Sequence, residues 1–133
     1  MRRAWWLAAL AALAADARGY GPETNYAIHC QGCHLADGSA TPGKVPALAG
    51  SLARFLREPG GREFLVRVPG VANAPLSDAE LAALLGWTLR RFDGGALPPD
   101  FAPYTAEEVG RLRQTPLVDV NAVRAQLLRG SLP

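Results

Sequence analysis

The pentad Cys30-Gln31-Gly32-Cys33-His34 constrains this chain more than any other stretch, and it holds both cysteines and one of the two histidines. Two thiols separated by two residues and followed at once by an imidazole form the attachment pattern of a c-type haem. In that chemistry each S–H adds across a vinyl C=C of the macrocycle. A C–S bond forms, the proton goes to the neighbouring carbon, and the product is a thioether. The histidine then reaches the iron as its proximal ligand. Two intervening residues let one turn of chain span both vinyl positions and leave His34 beneath the ring. A fold with such an anchor wraps a flat cofactor.

The same five residues have other uses. A thioredoxin-like redox pair opens a helix after a strand within a βαβ pattern, whereas here the pair follows a helical stretch and no strand-like run precedes it. A zinc site would draw on Cys30, Cys33, His34 and His29, but four ligands within six consecutive residues converge poorly on one tetrahedral ion. A Cys30–Cys33 disulfide closes too small a loop to stabilise the chain much.

The N-terminus has the layout of an export signal. Met1-Arg2-Arg3 is a basic start, Ala4 to Ala15 is continuously apolar, and Ala15-Asp16-Ala17 offers a small-x-small cleavage site. The apolar run is short for a bilayer span, so residues 1–17 read as a signal peptide and the periplasm as the destination, an uncleaved anchor being the alternative. Cleavage removes Arg2, Arg3 and Asp16 from 14 basic and 12 acidic residues, leaving a nearly neutral chain. Neither sign dominates, which argues against nucleic acid as a partner. What remains suffices for one small domain.

Glycine and proline divide the rest into short helices. Gly21-Pro22-Glu23 predicts a helix start, running to the pentad with Tyr26 and Cys30 on one face. Leu35 to Gly50 reads as an irregular wrap. Ser51 is expected to cap a short helix ending at Glu58, before Pro59-Gly60-Gly61. Residues 62–68 form a further short helix or pass for a strand, and 69–75 read as irregular. Residues 77–92 carry the clearest helical signal. Ser77 and Glu80 form a capping box, and Leu81, Leu84 and Leu85 mark an apolar face. Beyond Gly94-Gly95, Thr105 and Glu108 cap a helix to about Arg113. Asn121 to Leu128 predicts another, with Val123, Leu127 and Leu128 on one side.

The order of these parts resembles the class I c-type cytochromes over about residues 20–93. Cys30-Gln31-Gly32-Cys33-His34 is followed by Pro46-Ala47-Leu48-Ala49-Gly50 and then by Leu76-Ser77-Asp78-Ala79-Glu80-Leu81, three motifs in that family's order. The resemblance implies an all-α fold: a small class I cytochrome c-like helical domain (18–93) around one covalently bound haem c. Residues 94–133 would then be a C-terminal helical extension, packed on that domain or on a partner. It implies thioether bonds at Cys30 and Cys33 and proximal iron ligation by His34. The Pro46 carbonyl would accept the other ring N–H, orienting the imidazole and raising its basicity. Tyr26 and Trp87 would sit where the first and last family helices cross.

One departure bears on function. The family places a methionine on the distal side of the iron, and the only methionine here is Met1. Asn73 is the polar residue expected to approach the distal iron or a water on it, with Lys44 as a second candidate. Two functions follow. The first is a monohaem carrier of single electrons between a periplasmic dehydrogenase and an oxidase or cytochrome acceptor. Arg54, Arg57, Arg62 and Arg67 would then be either a docking face or a solvated surface. The second is a haem protein with an open distal site that binds small ligands or reduces peroxide. No stable membrane span is expected after cleavage.

Overall fold

The computed structural model describes residues 19–129, and the segment 1–17 read as an export signal lies outside them. The described residues are helical, with one isolated bridge, His34 to Ala40, and no strand. The all-α expectation therefore holds. The helices are α1 (Pro22–His29), α2 (Gly61–Arg67), α3 (Pro69–Ala72), α4 (Asp78–Asp93), α5 (Ala106–Leu112) and α6 (Val120–Arg129). None is long and apolar enough to cross a membrane.

Helix α1 starts as expected, with Pro22 in its first turn and Glu23 near the positive end of its dipole. It packs against α4, whose N-terminus carries the full capping box. Ser77 Oγ accepts from the Glu80 N–H at 3.3 Å, and the Ser77 N–H donates to Glu80 Oε2 at 2.9 Å. Leu81, Leu84, Leu85 and Leu89 of α4 are buried. Tyr26, 1% exposed, lies between Trp87 and Phe92, with ring centroids at 5.4 and 5.2 Å. Its hydroxyl donates to the Leu35 carbonyl at 2.8 Å, tying the helix crossing to the chain just beyond the pentad.

The wrap after the pentad is anchored at Gly38. Its carbonyl accepts from the amides of Leu48 and Ala49, its φ is +78°, and a Cβ there would meet the Phe92 ring at 2.5 Å. Only glycine has both the conformation and the clearance. At the far end of the wrap, Asp93 of α4 accepts the buried amide of Ala53 at 2.6 Å.

Two segments differ from expectation. Residues 51–58 contain only a 3₁₀ turn, Phe55–Arg57. Ser51 points its hydroxyl backwards, donating to the carbonyls of Ala47 at 2.5 Å and Leu48 at 3.2 Å, so it caps nothing ahead of it. Residues 69–75, expected to be irregular, contain α3. Pro69 presets φ for a first helical position, and Val68 before it is held out of the α region, so the helix is one turn that starts at the proline.

Residues 95–129 fold back on the rest. Helix α5 begins at Thr105, whose side chain accepts from the Glu108 N–H, and it packs on α4 and α2, while α6 packs on α2. Arg113, just past α5, donates to the carbonyls of Ala72, Ala74 and Leu76 and to Asp78 Oδ1 at 2.5 to 3.0 Å. It thereby satisfies the backbone linking α3 to α4. Arg62 pairs with Glu108 through both carboxylate oxygens and donates to the Ala102 and Pro103 carbonyls. Its guanidinium lies 4.0 Å from the centroid of Tyr104, whose hydroxyl donates to the Arg62 carbonyl.

Candidate haem site

The pentad leaves α1 as a tight turn, the amides of Cys33 and His34 both donating to the Cys30 carbonyl. This places Cys30 and His34 on the wall of a cavity of about 370 Å³. Tyr26 of α1 and Leu81, Leu84, Leu85 and Leu89 of α4 form one side of its lining. The wrap supplies Lys44, Pro46, Leu48 and Leu52, and Phe55, Phe64, Leu65, Val68 and Val71 continue it. The lining is overwhelmingly apolar. Such a volume lies in the range of cofactor sites, which are mostly apolar with a few placed polar groups.

His34 is one of the few polar side chains of the lining. Its Nδ1 is buried and has no hydrogen-bond partner among the described residues. Burial holds the imidazole below its ordinary pKa, while the Pro46 carbonyl pulls the other way. A neutral imidazole in an apolar cavity is the form that ligates a metal. Burial also pushes the Cys30 thiol up to about 11, so it is a neutral S–H and no thiolate. Tyr26, likewise raised by burial to about 12, stays a hydrogen-bond donor. Cys33 is exposed and does not line the cavity, and neither cysteine is in a disulfide. The described residues hold no group of three or more His, Cys, Asp or Glu side chains that would bind an ion by themselves.

Cys30, His34 and Pro46 therefore meet at one cavity, as does Lys44. Asn73 does not: it ends α3, is exposed, and is absent from the lining. The one-turn helix that starts at Pro69 directs Val68, Gly70, Val71 and Ala74 to the cavity instead. The expected arginine face is also dismantled. Arg57 donates to the Ala96 carbonyl, Arg62 is held by Glu108, and Arg67 donates to the Thr115 carbonyl, so these three fasten the chain beyond Gly94.

Missing from the expected site were Val120, Asn121 and Arg124 of α6, which line the same cavity. A signal existed in the sequence. Arg124 lies four residues after Val120 and so falls on the apolar stripe of α6, an odd place for a guanidinium.

The residues present suit a haem. A flat apolar ring needs an apolar slot and its iron needs a neutral imidazole, and this cavity brings both together with Cys30 on its wall. Comparison with known proteins agrees. No family model matches the chain. It is similar to cytochrome c-552 of Thermus thermophilus, 36% identical over 102 residues that take in 63% of this chain and 78% of the relative. A second cytochrome c-552 from Thermus thermophilus matches with the same identity, over 69% of its length. Because 63% of this chain is fewer than 102 residues, the relatives carry residues inside the match that have no counterpart here. The chain belongs to the c-type cytochromes, proteins with covalently bound haem c.

Proposed function

We propose that the chain carries one haem c through thioether bonds from Cys30 and Cys33, with His34 as the proximal iron ligand, and passes single electrons between periplasmic redox proteins. The observation that carries this reading is the placement of Cys30 and His34 together on the wall of one apolar cavity. When bound, the haem supplies a one-electron ferric/ferrous couple. The chain's own part is to hold it. Tyr26 fixes the pentad to the α1–α4 crossing, and Pro46 presents its carbonyl to the ring of His34, favouring a more basic ligand. The leucines of α4 exclude water, which keeps reorganisation small during electron transfer. Export by residues 1–17 delivers the chain to the compartment of its partners, a dehydrogenase donor and an oxidase or cytochrome acceptor. Ile28 and Leu35 flank the pentad with large apolar side chains, 53% and 45% exposed, suited to brief docking.

A second reading, ligand binding or peroxide reduction at an open iron, draws on two observations. Residues 19–129 contain no methionine, and Asn73 stays outside the cavity. The visible spectrum of the dithionite-reduced protein with and without CO separates the two. A sharp low-spin α band unmoved by CO supports the carrier, and a high-spin spectrum that shifts at once with CO supports the open site.

A further inference from the structure

Arg124 differs from the arginines that fasten the chain beyond Gly94. Arg62, Arg67 and Arg113 each spend their donors on carbonyls or carboxylates. Arg124 makes no hydrogen bond or ion pair among the described residues, although it is only partly exposed and lines the cavity. Its guanidinium carbon lies 5.8 Å from the centroid of the Phe55 ring, and that of Arg54 approaches the same ring at 5.6 Å. Two cations thus share one ring at the cavity. Burial and the neighbouring Arg54 both disfavour the charge on Arg124. A partly desolvated guanidinium beside a like charge favours an anion, and the described residues do not provide one.

We propose that Arg124, with Arg54 beside it, receives a carboxylate of the cavity's occupant, a haem propionate, so that helix α6 forms part of the cofactor site. The inference rests on the haem reading given above. A guanidinium presents its donors as a rigid fork that matches a carboxylate. Lys44 lines the same cavity but is exposed and joins no such pair. Residues 94–133 would accordingly tune the iron, because a cation near the ring stabilises the electron-richer ferrous state.

The test is the midpoint potential of the purified holoprotein, measured by spectroelectrochemical titration for wild type, R124Q and R124K. The expected result is a lower potential in R124Q, about tenfold in the ferric/ferrous equilibrium or about 59 mV for one electron. R124K should stay close to wild type, because the charge is kept. An R124Q potential equal to wild type overturns the proposal. Equal shifts in R124Q and R124K also overturn it, since loosened packing and not charge would then be the cause. Should R124Q fail to accumulate, R54Q decides, because Arg54 is exposed and its loss leaves the fold alone. A fall in potential supports the carboxylate site, and an unchanged value refutes it. Absence of haem from the wild-type protein, made in a host that attaches it, would instead refute the reading on which this rests.

Discussion

Replacing Arg113 by methionine tests how residues beyond Gly94 contribute to the fold that holds the site. Methionine keeps much of the aliphatic stem and removes only the guanidinium. The change deletes donors to the carbonyls of Ala72, Ala74 and Leu76 and to Asp78. A net hydrogen bond from a charged donor contributes about 1.5–3 kcal/mol, but carbonyls near solvent regain water, so the losses do not simply add. The Arg113 side chain is 14% exposed and that of Asp78 is 46% exposed. The ion pair itself therefore contributes under about 1 kcal/mol. The cost lies in leaving the α3–α4 carbonyls poorly satisfied. Together these give a destabilisation of about 3 kcal/mol, or a drop of about 12 °C in Tm for a domain of this size. The assay is thermal and guanidinium unfolding of the holoprotein by far-UV circular dichroism, with D78N alongside. R113M should fall by that amount and D78N by less than about 1 kcal/mol. A loss below about 0.5 kcal/mol in R113M would refute the reasoning, since apolar contact alone would then hold α5 in place.

Other outcomes follow from the same structure. Arg62 holds the Glu108 carboxyl below its ordinary value. A depressed carboxyl stabilises the fold fully above its unfolded pKa of about 4.3 and loses that contribution as pH falls through the folded value. E108Q should therefore be less stable than wild type near neutrality and converge with it in acid, as read from unfolding midpoints between about pH 2.5 and 6. G38A forces an alanine to a φ of +78° with its Cβ against Phe92, and should cost about 2 kcal/mol in chemical denaturation. An alanine variant as stable as wild type would show that the Phe92 ring yields freely.

The legible parts of this protein were the local ones. The pentad, the Ser77–Glu80 box, the Pro22 start of α1 and the Thr105 cap each act within a few residues, so spacing alone reveals them. Tyr26 and Trp87 were placed by the family resemblance, and their ring contact bears that out. The hidden arginine contacts depend on partners 35 to 48 residues away. Arg113, Arg62 and Arg67 look like surface charges in sequence and become backbone staples only after α5 folds back. Ser51 looked like a cap because its side chain suits one, yet nearby carbonyls of the wrap captured its hydroxyl. Asn73 is the polar residue of its segment, but the turn set by Pro69 directs its apolar neighbours to the cavity. Arg124 was the reverse case: a charge on an apolar stripe whose meaning required knowing what the stripe faces.

The central claim is that Cys30 and Cys33 hold one haem covalently in this cavity. The direct measurement is intact-mass analysis of the exported protein, paired with haem staining on a denaturing gel, for wild type and C30S/C33S. The account predicts wild-type chains heavier by one haem and stained after denaturation, with C30S/C33S unstained and at the mass of the bare polypeptide. A wild-type chain that carries no haem, or that releases its colour on denaturation, would contradict it.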